Sequence, residues 1–102
     1  MASRPGPRKP DLKQRQEAAT ALAISGLTFI ASDAERLGRF LALTGIGPES
    51  VRAAARQPDF LLGVLEHLAG NETLLLAFSS EHGFDPADLA RARIALGGLP
   101  NG

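Results

Sequence analysis

The feature that most constrains the fold is a pattern that occurs twice in the chain. The copies are Gly45-Ile46-Gly47-Pro48 and, 38 residues later, Gly83-Phe84-Asp85-Pro86. In each copy an apolar-periodic segment runs into the first glycine, and a second such segment follows the proline. Glycine suits the left-handed position that ends a helix, and proline suits the first turn of the next helix. The repeat therefore predicts two helical hairpins.

The amino-acid composition indicates the same fold class. The chain has sixteen leucines and seventeen alanines but only two valines, four isoleucines and no tyrosine or tryptophan. Alanine and leucine favour helices, whereas strands favour β-branched and aromatic residues. A length of 102 residues gives room for one domain with one core. We therefore expect a single all-α domain of about six short helices, with two hairpin units around a connector helix and an added N-terminal helix.

Capping and breaking residues predict where these helices begin and end. Ser32 and Glu35 have capping-box spacing, which predicts a second helix over 33–44. The other helices are expected at 11–31, 48–57, 58–69, 72–82 and 86–96, with Asp11, Asn71 and Asp85 as caps. The residues expected to face the core recur at helical spacing. They are Leu37, Phe40, Leu41, Phe60, Leu61, Val64, Leu65, Leu68, Leu74, Leu75, Phe78, Leu89, Ala92 and Leu96.

Charge is distributed unevenly along the chain although the formal net charge is zero. Residues 1–16 hold Arg4, Arg8, Lys9, Lys13 and Arg15 against one acid, a balance of +4, and the remainder has a balance of −4. Residues 1–10 are also rich in proline, which predicts a disordered basic tail. We expect a single helical domain over residues 11–98 and a flexible C-terminus over residues 99–102. Such a tail can contact an anionic partner, or can simply be solvated.

The absence of cysteine excludes disulfides, thiolate metal sites and cysteine nucleophiles. It is typical of a reducing compartment, and we expect a cytoplasmic protein. The apolar run from Ala18 to Ala31 is shorter than the roughly 20 residues of a membrane span, so we interpret it as a buried helix. No contact with a membrane is expected.

The first repeat resembles the helix-hairpin-helix modules of DNA repair and recombination proteins. The resemblance rests on Leu41, Leu43, the Gly45–Pro48 turn and Val51, and more weakly on the Gly83–Pro86 turn. It covers roughly residues 33–96 and implies two helix-hairpin-helix-like units in tandem. In that family the hairpin amides hold a backbone phosphate, which the positive end of a helix favours physically.

On this resemblance the candidate phosphate-binding residues are Gly45, Ile46, Gly47, Arg52 and Arg56. Two departures oppose the function. Glu49 occupies a position that is usually basic in the family, and Asp85 replaces the second glycine of the second hairpin. Either carboxylate would repel a phosphate. The simpler interpretation is that the arginines form a solvated helix face and that the glycines only turn the chain.

Residues 17–98 also resemble a family of small bacterial proteins of unknown function. The shared stretches are ERLGRFLALTGIGP, at residues 35–48, and LLLAF, at residues 74–78. This resemblance implies a standalone all-helical domain and brings no activity with it.

Enzymatic interpretations find little support in the sequence. His67 and His82 lie in no recognisable metal motif. The run Ser79-Ser80-Glu81-His82 has the residue types of a catalytic triad, but neighbours on one helix point in different directions. We expect no catalysis, no cofactor, no metal and no small-molecule substrate.

What remains is a non-enzymatic binding module with an unknown protein partner, self-association included. Nucleic-acid backbone binding is the alternative. Leu74, Leu75 and Leu76 together span about 200° of a helix, which is wide for a surface element. Leu76 is therefore the candidate interaction surface, and its complete burial in the domain is the competing interpretation.

Overall fold

The computed structural model describes residues 12–97, whose regular structure is entirely helical. The helices are α1 (Leu12–Ala31), α2 (Ala34–Thr44), α3 (Val51–Ala54), α4 (Pro58–Ala69), α5 (Glu72–His82) and α6 (Pro86–Ala95), and a 3-10 turn over Pro48–Ser50 leads into α3. The predicted all-α class is confirmed. The predicted basic tail, the Asp11 cap and the flexible C-terminus lie outside the described residues.

The two glycines that begin the repeats both end a helix in the left-handed conformation. Gly45 has φ 75° and donates its N–H to the Leu41 carbonyl at 2.8 Å. Gly83 has φ 68° and donates in the same way to Ser79 at 2.8 Å. The ring of Phe84, the residue after the second glycine, packs against the helix it follows. These turns are as predicted.

The predicted capping box of Ser32 and Glu35 is wrong. The N–H of Ser32 donates to the Thr28 carbonyl at 3.0 Å and its hydroxyl to the Phe29 carbonyl at 2.7 Å, so Ser32 completes α1. Asp33 caps α2 instead, because its carboxylate accepts from the N–H groups at the start of that helix, including Glu35 at 2.8 Å. A carboxylate also interacts favourably with the positive end of the helix dipole.

The sequence repeat does not give two equal structural units. After Pro86 a helix of ten residues follows, whereas after Pro48 there is a 3-10 turn and only four α-helical residues. The residue before each proline contributes to the difference. Gly47 offers no side chain to cap the turn, while Asp85 caps α6 and takes part in a reciprocal capping box.

The core forms where α1 packs against α4 and α6, with α2 and α5 closing it. Most of the predicted core positions are buried, but Leu37, Leu41, Phe60, Leu74, Leu75 and Leu96 are only half-buried around its edge. They lie near the ends or flanks of short helices, where a small domain has no further layer to cover them. At Gly26 the helices approach closely, since an added Cβ would lie 2.7 Å from Leu68 Cδ1.

Between residues 12 and 97 no single helix combines the length and hydropathy needed to cross a bilayer. Helices α4 and α5 reach those values only when taken together, across a bend of 105°.

Candidate functional site

The acidic side chain of Glu49 lies against the hairpin at residues 45–48. Ser50 donates its N–H to the Gly47 carbonyl at 2.9 Å, and no side chain caps the 3-10 turn. The Glu49 carboxylate folds over Gly47, so that a Cβ on this glycine would lie 2.6 Å from Glu49 Oε2. A phosphate that approached the hairpin would meet this negative charge first.

In the second hairpin, carboxylates already accept from the backbone amides. Asp85 Oδ1 accepts from the Ala87 N–H at 2.8 Å, and Asp88 Oδ2 accepts from the Asp85 N–H at 3.1 Å. The bond from the Asp85 N–H and then the paired Arg91 hold the pKa of Asp88 below its ordinary value. Asp85 therefore caps the amides as expected, and an anion would have to displace it.

Two arginines beside the first hairpin carry charges that the described structure leaves uncompensated. Arg52 and Arg56 are exposed, and neither forms a salt bridge with another residue of the range 12–97. Within the same range Glu35 forms no ion pair with Arg39, and Asp59 forms none with Arg56. Arg52 and Arg56 thus follow the hairpin in the chain without a neutralising partner among residues 12–97.

Both histidines pack against phenylalanine rings. The ring centroids of His67 and Phe40 lie 5.1 Å apart, and those of His82 and Phe78 lie 4.8 Å apart. Burial, and then the nearby charge of Arg39, lower the pKa of His67 below its ordinary value of 6.5. Each histidine therefore has a structural explanation in aromatic packing.

The serine at the start of the run 79–82 also has a structural partner. The Ser79 hydroxyl donates to the carbonyl of Phe84 and so ties α5 to the hairpin that follows it. Across the described residues no three His, Asp or Glu side chains are placed to hold a metal ion. The absence of catalysis and of a cofactor stays a prediction.

A groove of about 780 Å³ runs between the first half of α1 and α6, and we call it the α1–α6 groove. Its walls are mainly aliphatic: Leu12, Ala18, Ala19, Leu22, Ala92, Ile94 and Ala95. Leu12 is 65% exposed and Ile94 is 47% exposed. Because alanines form much of the wall, the two helices leave an apolar trough between their larger side chains.

The rim of the α1–α6 groove is polar and carries an uncompensated positive charge. It consists of Gln14, Arg15, Asp88 and Arg91. Asp88 and Arg91 form an ion pair with each other. Arg15 is exposed and forms no salt bridge within residues 12–97. An apolar ligand with a negative group would therefore match the groove better than a neutral or cationic one.

Leu76, the residue singled out by sequence, lies elsewhere. It is 53% exposed on α5, so its complete burial is ruled out, but it does not line the α1–α6 groove. Leu43, at the end of α2, is even more exposed, at 70%. The role of Leu76 in an interaction stays a prediction.

Sequence reasoning missed the α1–α6 groove because it looked for large apolar residues. The groove owes its shape to small ones, above all Ala18, Ala92 and Ala95, which reveal a hollow only once α1 and α6 are side by side. The one signal in the sequence is Arg15, a basic residue on the same helical face as the buried Ala19.

The fold is that of a small all-α domain built around one long helix. The chain belongs to the family described as "protein of unknown function (DUF3572)", which matches residues 16–99. This confirms the predicted membership in a helical family of unknown function, while its bacterial origin stays a prediction. Neither curated proteins nor solved structures give a match.

Proposed function

We propose that this protein is a non-enzymatic binding module whose α1–α6 groove takes an apolar segment of a partner protein that carries an acidic side chain. The observation that carries the proposal is the combination of aliphatic walls with the charge of Arg15 at the rim, which has no salt-bridge partner within residues 12–97. We also propose a cytoplasmic location, which the lack of cysteine favours.

The helical walls of the groove support a peptide segment as the occupant. A groove with helical walls is an arrangement in which amphipathic helical segments are recognised, through apolar anchors one or two turns apart. An aspartate or glutamate near those anchors would pair with Arg15.

Selection from a random peptide display library on the immobilised full chain tests the proposal. We expect enriched peptides to combine leucine-like residues with at least one acidic residue. A selected peptide should lose affinity for Ala18→Trp, which fills the groove from an exposed position, and for Arg15→Glu. Ala42→Trp is the matched control, because Ala42 is exposed on α2 outside the groove. Peptides that bind Ala18→Trp as well as the wild type would contradict the proposal.

Binding to a nucleic-acid backbone is the second proposal. The charges of Arg52 and Arg56, which follow the Gly45–Pro48 hairpin and form no salt bridge within the described part of the chain, favour it. The carboxylates of Glu49 and Asp85 oppose it. We rank it below peptide binding because both hairpins carry an acid at the amides that a phosphate would need.

A further inference from the structure

The side of α1 that faces away from the core carries almost no charge. From Ala18 to Ala31 the helix has no Asp, Glu, Lys or Arg. Four residues of this stretch are exposed on one side, and we call them, with Glu17, the outer α1 face: Glu17, Ala21, Ile24, Thr28 and Ala31. Ile24 is 45% exposed, the most prominent apolar side chain on it.

Between Ala21 and Ala31 this face can be buried without leaving a hydrogen-bond donor unsatisfied, and the Glu17 carboxylate lies at its N-terminal end. The Thr28 hydroxyl donates to the Ile24 carbonyl at 3.0 Å, so its hydrogen is already used inside α1. A buried donor without a partner would cost about 1–3 kcal/mol, and that penalty does not arise here. An exposed helix face with this property is suited to contact with another surface.

The spacing along the outer α1 face is that of a helix–helix seam. Its residues follow one another at intervals of four, three, four and three positions. This is the 3.5-residue repeat of two helices that pack side by side with knobs in holes. Alanine and threonine on the seam allow the two backbones to approach closely.

The side chains on this side of α1 leave an open hollow between them. A hollow of about 430 Å³ on this side of α1 is lined by Lys13, Gln16, Glu17, Thr20, Ala21 and Ile24. Glu17, Thr20, Ala21 and Ile24 are the i, i+3, i+4 and i+7 positions that surround a knob in helix packing.

We propose that two copies of this protein form a dimer through their outer α1 faces, with the helices antiparallel and Ile24 of each copy in the hollow of the other. A second copy is the occupant because knob and hole lie on the same helix. A two-fold axis midway between them places each Ile24 opposite the hollow of the other copy. Such self-complementarity is what a two-fold interface requires.

Charge complementarity favours the antiparallel direction. Lys13 lies in the first turn of α1, at the positive end of the helix dipole. That turn contains no acid, and the last turn of α1 contains no base. In an antiparallel pair Lys13 lies beside the negative, C-terminal end of the other α1. A parallel pair would instead place Lys13 opposite Lys13 and Glu17 opposite Glu17.

This dimer goes beyond the proposed peptide binding and does not depend on it. Among the residues of the outer α1 face, none lines the α1–α6 groove, and the groove uses Ala18 and Leu22 on another side of α1. The two functions can therefore fail separately, and a dimer would present two grooves.

Sedimentation equilibrium of the full chain over a wide range of concentration tests the association. We expect a wild-type dimer and a monomeric Ile24→Glu variant with unchanged helical circular dichroism. Leu43→Glu, which charges the more exposed leucine on α2, is the matched control and should remain a dimer. If Ile24→Glu loses helical structure, Ala21→Arg blocks the hollow from an exposed position and should likewise give monomers. A monomeric wild type, or a dimer that survives both substitutions, would overturn the proposal.

The helix direction has its own test, because the chain contains no cysteine. A nitroxide label on Gln14→Cys, which keeps Lys13 in place, should show a separation of roughly 25 Å along the helix axes in the antiparallel dimer, from a rise of about 1.5 Å per residue. A separation near the width of two helices would show a parallel pair and would overturn the arrangement proposed here.

Discussion

Gly45 and Gly38 both have room for a side chain, but the backbone conformation differs between the two positions. Gly45 ends α2 with φ 75°, and an added Cβ would have no neighbour within 4 Å. Gly38 lies inside α2 in open space with ordinary helical geometry. An alanine side chain would make no contact at either site, so the effects of the two substitutions differ only through the backbone conformation.

We predict that Gly45→Ala lowers the free energy of unfolding by about 1 kcal/mol, because alanine is strained at positive φ. Gly38→Ala should raise it by roughly 0.5–1 kcal/mol, since alanine is the better helix former. Urea melts of both variants measure the two effects. Equal effects in the two variants would show that the left-handed turn does not decide stability at Gly45.

His67 makes the stability of the domain depend on pH. Because its pKa is lowered in the folded state, protonation favours the unfolded chain. The contribution of His67 is complete above the ordinary value of 6.5 and is lost as the pH falls below it, towards the lowered pKa.

We expect the wild type to become less stable as the pH falls below about 6.5, within the range of roughly 5–8 over which histidine titrates. His67→Phe keeps an aromatic ring against Phe40 and should show a smaller decrease. Thermal melts across this range measure the difference. If His67→Phe keeps the full wild-type pH dependence, that dependence arises from another group. His82→Phe is the control for the other histidine.

At the scale of elements, the two helical hairpins differ in how their amides are satisfied. The second has the reciprocal capping box of Asp85 and Asp88 and begins a helix of ten residues. The first has Gly47 with no capping side chain, and Glu49 folded over it. The same sequence pattern therefore yields a stable helix start in one place and a short turn in the other.

Glu49→Lys separates a turn from a phosphate site at the first hairpin. If the hairpin only turns the chain, the substitution should hardly change the weak affinity for a short DNA duplex or its dependence on salt. Titrations at two salt concentrations measure both quantities. Nucleic-acid binding would instead be supported by tight wild-type binding with a log–log slope of about 0.9 per phosphate contact. This binding would have to survive removal of residues 1–10 and be lost with Arg52→Ala and Arg56→Ala.

Helices α4 and α6 are joined by an ion pair of weak geometry. Arg93 Nη2 lies 3.8 Å from Glu66 Oε2, the Arg93 side chain is only 17% exposed, and its Nε is buried without a hydrogen-bond partner. Burying a guanidinium with so little compensation is costly, and an apolar side chain of similar length often serves as well.

We therefore predict that Arg93→Met leaves the free energy of unfolding unchanged or raises it. Guanidinium melts of Arg93→Met and of Glu66→Gln measure the two sides of the pair. A loss of more than about 1 kcal/mol in Arg93→Met would mean that the contact stabilises the α4–α6 packing more than its geometry indicates.

At the scale of the whole molecule, one long helix organises the rest. The buried side of α1 forms the core with α4 and α6, a second side borders the α1–α6 groove, and the outer α1 face is left to solvent. Both proposed interactions therefore use surfaces of the helix that also holds the fold together.

Removal of residues 1–10 should leave the helical content and melting temperature nearly unchanged. Four of these residues are proline or glycine, and they offer few apolar side chains to a core. Circular dichroism of the truncated and full-length chains provides the comparison. A clear fall in melting temperature would show that this segment contributes to the folded domain.

The sequence by itself determined the helical class, the two left-handed glycine turns and most of the core. These features follow from local rules, since a glycine between two periodic segments or a stripe such as Leu61, Val64, Leu65 and Leu68 needs no knowledge of distant residues. Tertiary structure decided the rest. Whether Leu76 or Leu96 is buried depends on which helix lies beside it, and the α1–α6 groove exists only because Ala18 and Ala95, far apart in the chain, come together. Small side chains give no periodic signal of their own, and the α1–α6 groove is formed by two helices, so neither could be inferred from one segment alone.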